Sequence, residues 1–293
     1  MDSFYRTICL VWIALLFPFP PLLAQTKEYK YPESAQLVAL VDEAVVLIRQ
    51  EGPSAFKEFM IPGSKWRKGD IYIFVIDLNG KVSVHEDTTL IGKNLFDLKD
   101  KNGKPFIKWF IQKATTDKEG GWTHYLWTKP GSDKSLWKTT YVKLAKTSAG
   151  KEYVVGCGLY DMKMEKAFAV DAVDDAAALI RKEGKKALQI LKDTTSEFVY
   201  KDTYVFVLDS TCVLLVDPPF PKLEGINVIN YKGMTGKYVF REFMKTAKEK
   251  GSGWVDYLWP KPGETVQSNK TSYVKKVNLS NGWYVVGTGI YLE

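Results

Sequence analysis

Two lysines carry the clearest candidate chemistry in this chain. Lys138 and Lys270 hold equivalent places in Lys138-Thr-Thr-Tyr-Val-Lys143 and Lys270-Thr-Ser-Tyr-Val-Lys275. An ammonium pairs with a carboxylate, and a tyrosine hydroxyl, here Tyr141 or Tyr273, adds a hydrogen bond to the acid. Tyr125 and Trp127, repeated as Tyr257 and Trp259, share one face of an alternating strand. Tyr72 and Tyr204 lie early in two further strands, sharing faces with Phe74 and Phe206. Aromatic side chains with polar tips suit a pocket for a small polar ligand. Tyr72, Tyr125, Trp127, Lys138 and Tyr141, with Tyr204, Tyr257, Trp259, Lys270 and Tyr273, are therefore the candidate ligand-binding residues. The competing roles are sheet packing for the aromatics and a solvated surface for the lysines. Residues three apart in a regular strand face opposite ways, so Lys138 and Tyr141 meet only across a bulge or if the strand starts after the lysine. Lys129 and Lys261, in Lys-Pro-Gly turns, are expected at the surface. His85 is matched by Asp217 and reads as a surface turn position. If it lined a pocket, the two sites would differ in charge and in ligand.

Other chemistries lack their residues. No Gly-x-Ser-x-Gly, phosphate loop, zinc spacing or dinucleotide fingerprint occurs. Neither His85 nor His124 has a counterpart in the other segment, so no paired acid and base is expected, and the chain reads as no enzyme, without cofactor or metal. Asp97 to Gly103 has a faint calcium-loop look, but the alignment puts Leu98 first and Trp109 last, where carboxylates are needed. Its acidic residues are expected to order the turn before a helix. Cys157, between glycines in an apolar strand, reads as a buried thiol.

The elements that position these residues come from a duplication. Gly121-Trp-Thr-His-Tyr-Leu-Trp-Thr-Lys-Pro-Gly131 returns as Gly253-Trp-Val-Asp-Tyr-Leu-Trp-Pro-Lys-Pro-Gly263, an offset of 132 residues. Tyr72 to Asp77 returns as Tyr204 to Asp209, Gly92-Lys-Asn94 as Gly225-Ile-Asn227, and Tyr153 to Tyr160 as Tyr284 to Tyr291. The repeats run over about 33–161 and 162–293. Leu37, Leu40, Val41, Ala44, Val45 and Ile48 fall at helical spacing, as do Val170, Val173, Ala177 and Ile180, with Gly52 and Gly184 as breaks. Strands follow over 71–77 with 81–85, and 203–209 with 212–217. Asn79-Gly80 is a hairpin turn, whereas Thr211-Cys212 predicts a different turn. A helix near 104–115 (237–249 in the second copy) and three strands complete each copy. The expected fold is α+β, an antiparallel sheet with helices on one side.

Residues 1–24 read as an address. Arg6 precedes an apolar run, three prolines interrupt it, and Ala24 ends it, as in a secretory signal peptide. An uncleaved anchor is the alternative, but proline breaks a spanning helix. Cleavage takes Cys9 away and leaves Cys157 and Cys212, at unrelated positions of the repeats and read as separate buried thiols. The 41 basic and 34 acidic residues give +7, a mild excess with no lysine-arginine block, so no nucleic-acid partner is expected. A length of 293 residues accommodates two domains, 25–161 and 162–293, each able to bury its own core.

The helix–strand order, together with Phe74-Val-Ile-Asp-Leu-Asn-Gly80, Gly92-Lys-Asn-Leu95, Asp97-Leu-Lys-Asp100, Gly121-Trp…Tyr125-Leu-Trp127 and Gly156-Cys-Gly-Leu-Tyr160, resembles the Cache family of extracellular sensor domains, particularly the single-Cache type, in two tandem copies. The resemblance implies PAS-like domains, each with a long N-terminal helix on a five- or six-stranded antiparallel sheet. It also implies a pocket for a small organic anion, a short carboxylate or amino acid. Family members commonly signal through a membrane helix to a cytoplasmic output domain. This sequence shows neither, so the expected role is a secreted or periplasmic binding protein that presents its ligand to a membrane receptor or transporter. Two alternatives are a cell-envelope interaction module with pockets filled by side chains, and a sensor fragment tethered by its first segment.

Overall fold

The computed structural model describes residues 27–117, 119–233 and 235–292. The leader expected over 1–24, its cleavage near Ala24, and Cys9 lie outside the described residues.

The first copy runs α1 (Pro32–Glu51), β1 (Phe74–Asp77), β2 (Val82–Val84), α2 (Phe106–Thr116), β3 (Gly121–Thr128), β4 (Ser135–Lys146) and β5 (Glu152–Tyr160). The second runs α3 (Lys166–Glu183), α4 (Lys186–Lys192), β6 (Thr203–Asp209), β7 (Leu214–Val216), α5 (Val239–Lys250), β8 (Ser252–Pro260), β9 (Gln267–Leu279) and β10 (Gly282–Tyr291). Both sheets are antiparallel, in the orders β2-β1-β5-β4-β3 and β7-β6-β10-β9-β8. Val199–Tyr200 adds a sixth strand to the second sheet. These are two α+β domains with the expected long N-terminal helices. On α1, Leu37, Val41, Ala44, Val45 and Ile48 form the buried stripe, and on α3 Val173, Ala176, Ala177 and Ile180 do so. Gly52 and Gly184 end these helices at φ 61° and 59°, backbone that a Cβ disfavours.

The helices occupy both faces of each sheet, not one side. Ile73, Val75 and Val155 pack under α1, while their neighbours Phe74, Ile76 and Val154 pack under α2. Strands such as Tyr72-Ile-Phe-Val-Ile are apolar on both faces, so both need cover. In this strand order the β2-to-β3 connection must pass from one sheet edge to the other. It carries α2 across the face opposite α1. The second copy repeats this with α3 and α5.

The turn predicted to differ is the same in both copies. Cys212 takes the left-handed backbone, φ 68°, where Gly80 has 82°. The Asp77 carboxylate accepts from the Asn79 and Lys81 amides, and Asp209 accepts from the Thr211 and Val213 amides. The aspartate closes the turn, so the residue at the left-handed position need not be glycine. Cys157 and Cys212 are separate buried thiols. Among the described residues no helix is long and apolar enough to cross a membrane.

The copies meet along β3. The Trp122 ring lies 4.8 Å from Phe168 of α3, and His124 stacks on Tyr200 at 4.1 Å. Burial pushes His124 down to about 3, so it is neutral there. Lys113 on α2 pairs with Asp175 and Glu197; burial lowers its affinity for a proton, but the two carboxylates outweigh it. The buried Lys104 ammonium donates to the carbonyls of Thr194, Ser196 and Val199 at 3.3, 2.5 and 2.8 Å. Before α1, the amides of Lys30 and Tyr31 donate to the buried Glu165 carboxylate, both at 2.9 Å. Lys104→Met keeps the aliphatic stem and leaves three carbonyls without a donor. It is expected to cost about 1–3 kcal/mol in urea unfolding.

Candidate functional site

Register places Lys138. On β4 it lies opposite Tyr125 of β3 and Tyr160 of β5, and the next residue inward on the same face, Thr140, lies opposite Gly158. A Cβ on Gly158 would sit 3.0 Å from the Lys138 Cε and closer still to the Thr140 hydroxyl, so glycine gives the lysine stem its bed. Gly156 does the same for the Phe74 ring. The lysine therefore crosses the sheet face without surfacing, at 0% exposure.

Around it stand aromatics. The Lys138 Nζ lies 3.8 Å from the Tyr72 ring centroid and 5.0 Å from that of Tyr160. The Tyr160 hydroxyl donates to the Thr128 carbonyl at 2.9 Å. Phe106, the first residue of α2, stacks on Tyr125 at 4.2 Å, and Trp127 meets Phe106 edge-on at 5.4 Å. His85 touches the Tyr72 and Trp127 rings. The Tyr125 hydroxyl shares a hydrogen bond with Thr140. The Lys138 Nζ is buried with no hydrogen-bond partner. Burial pushes it down to about 7, and Cys157 and Asp70 oppose this only in part. Three donors on a dry ammonium with no acceptor are what a carboxylate satisfies.

The second pocket has the same frame. Lys270 pairs with Tyr257 and Tyr291, and Gly289 beds its stem as Gly158 does. Here the Lys270 Nζ donates to the hydroxyls of Tyr204 and Tyr291 at 3.1 and 3.3 Å. The Tyr257 hydroxyl bonds Ser272. Phe206, Val239, Phe240, Phe243, Trp259 and Asp217 complete the lining, and the cavity left is about 10 Å³, close to one water-sized sphere. Burial pushes the Asp217 carboxyl up and the Lys270 ammonium down, and each charge partly restores the other.

Eight of the ten candidate residues thus gather in two equivalent clusters: Tyr72, Tyr125, Trp127 and Lys138, then Tyr204, Tyr257, Trp259 and Lys270. Tyr141 and Tyr273 do not join them. The strand runs unbroken through Lys138, so alternation turns Tyr141 to the α1 face, where its hydroxyl donates to the Glu119 carbonyl. Tyr273 faces α3 in the same way. The surface reading of Lys138 and Lys270 is overturned, as is that of Asp217, which is 3% exposed. His85 is half-buried against the pocket aromatics. Lys129 and Lys261 make partly exposed ion pairs with Asp70 and Asp202. Asp100 orders the turn before α2, accepting from the amides of Asn102, Lys104 and Leu126. Tyr160 and Tyr291 were not among the candidates. Folding the last hairpin about Ala149 puts Tyr160 opposite Lys138, so the pairing follows from the turn position.

The dCache_2 family model, described as a Cache domain, matches residues 56–177 and 169–293. A curated relative, the methyl-accepting chemotaxis protein McpP of Pseudomonas putida (strain KT2440), is 29% identical over 122 residues. That match covers 41% of this chain and 21% of the relative, so the chain spans about a fifth of its length. A solved periplasmic sensor domain of a chemotaxis protein is 32% identical, covering 44% of this chain and 95% of that one, with a TM-score of 0.39. A Cache chemosensory domain, solved as a structural basis for carboxylic acid recognition, is 30% identical over 43% and 91% of the chains, with a TM-score of 0.37.

Two outcomes test this geometry. Gly158→Ala forces the lysine stem from its bed and is expected to cost about 1–3 kcal/mol by chemical denaturation. Burial pushes Lys138 down to about 7, against about 10.4 in the unfolded chain. Between those values the unfolded chain holds more protons, so this group makes stability rise with pH. The unfolding free energy of the ligand-free protein, relative to Lys138→Met, should therefore increase from about pH 7 to about pH 9 by up to about 1.4 kcal/mol per unit.

Proposed function

As the chain belongs to the Cache domain family, we propose that it is an extracytoplasmic ligand-binding protein whose first pocket captures a small organic anion, a short carboxylate or amino acid. One observation carries this reading: the Lys138 ammonium, sealed under aromatic rings, has no hydrogen-bond acceptor. A carboxylate entering there gains a desolvated ion pair, with the Thr140 hydroxyl on the same sheet face for its second oxygen. Apolar walls from Tyr72, Phe106 and Trp127 suit a short carbon chain. Kinship to a methyl-accepting chemotaxis protein supports a sensing role. The address-like first 24 residues support export, with cleavage near Ala24, and the bound ligand would then be presented to a membrane receptor or transporter.

The test is a thermal-shift and calorimetric screen of the exported protein against acetate, propionate, pyruvate, lactate and the amino acids. A binder at 100 times its dissociation constant adds about 2.7 kcal/mol of stability. The response should vanish in Lys138→Met, an apolar swap that leaves no buried charge behind. It should also weaken above about pH 7, as Lys138 gives up its proton. A protein that answers none of these compounds by either method would sink the proposal.

A further inference from the structure

The two pockets share their frame and differ at the residue after the short second strand. Val84 ends β2, paired with Val75, and Val216 ends β7, paired with Val207. The next residue is His85 in one copy and Asp217 in the other.

His85 brings no negative charge. Its Nδ1 accepts from the Asp87 amide at 2.9 Å, and burial, helped by the Lys138 charge, pushes it down to about 4. Lys138 therefore faces a neutral imidazole. Asp217 is buried in the aromatic lining beside Tyr204 and Trp259, and its Oδ1 has no hydrogen-bond partner. Asp217 and Tyr204 line the same cavity, the Tyr204 hydroxyl accepts from the Lys270 Nζ at 3.1 Å, and the Asp217 and Lys270 charges each partly restore the other. Two tyrosine hydroxyls also accept from Lys270, whereas Lys138 has no acceptor. A free carboxylate entering the second pocket would meet an ammonium already matched in charge. It would also place a second carboxylate in the same dry volume, where two like charges cannot both stay ionised.

We propose that the residue at positions 85 and 217 determines which pocket admits a free carboxylate: Asp217 supplies from within the chain the counter-charge that a ligand must bring to Lys138, and so restricts anion binding to the first copy. This rests on the reading of the Lys138 pocket as an anion site, but its test works with that pocket silenced.

In a full-length Lys138→Met protein, acetate and pyruvate should cause no thermal shift and no heat of binding. Adding Asp217→Asn leaves Lys270 without its counter-charge and should create a site for these probes, tightening their affinity by about tenfold or more. A further Lys270→Met change should remove it. Asp217→His, the first copy's own residue, serves the same purpose should the asparagine variant misfold, and circular dichroism reports folding. Acetate or pyruvate binding to Lys138→Met with Asp217 in place, lost on Lys270→Met, overturns the proposal. So do folded Asp217 variants that gain no binding. Failure of the first-pocket reading looks different: the unmodified protein stays silent while Lys138→Met with Asp217→Asn responds.

Discussion

A lysine lying flat across the middle of a sheet is the constraint on which each copy depends. An ammonium in a dry interior is costly unless something answers its charge. The architecture makes room for the stem and then a chamber for the head. Gly158 and Gly289 leave their strand without a side chain where the stem must pass, and Gly156 and Gly287 do so for Phe74 and Phe206. The repeated glycine-x-glycine near the end of each copy is thus the negative image of a lysine and a phenylalanine on neighbouring strands. The helix carried over that face, α2 or α5, brings Phe106 or Phe240 down as the lid. Strand order makes the crossing necessary, and the crossing gives the pocket its roof.

What the sequence disclosed follows the range of each signal. The duplication, the helical stripes of α1 and α3, and the shared face of Tyr125 and Trp127 are periodic features visible in one segment. They match the observed elements to within a few residues. Tyr141 was drawn toward the lysine by nearness in sequence, although strand alternation argued against it, and alternation prevailed. Burial of Lys138 and Asp217 was not legible, because a lysine or aspartate next to a turn looks solvated until the opposite side of the chamber is known. The cover on both sheet faces was legible in principle. The first strand is apolar at every position from Tyr72 to Ile76, a pattern with no water-facing side. The common turn is marked in the sequence by the aspartate that closes both loops, Asp77 and Asp209, and not by Gly80.

The seam between the copies lies next to the first pocket. Lys104 holds three carbonyls of the segment leading into the second sheet, and two residues later Phe106 stacks on Tyr125. On the strand beside Lys138, Thr139 turns to the seam and bonds both His124 and Tyr200. The residues of the lysine cluster and those that fasten the copies therefore alternate along the same strands. A displacement of Phe106 is two peptide links away from the clamp at Lys104.

Glu165 gives this arrangement a mechanical property. The chain enters its first helix through the amides of Lys30 and Tyr31, both seized by this carboxylate from the second copy, with Lys27 and Asp171 paired beside them. Displacing residue 27 would therefore have to break contacts with the second copy before it moved the first turn of α1. The leading segment is thus fastened to the second copy before it enters the helix of the first.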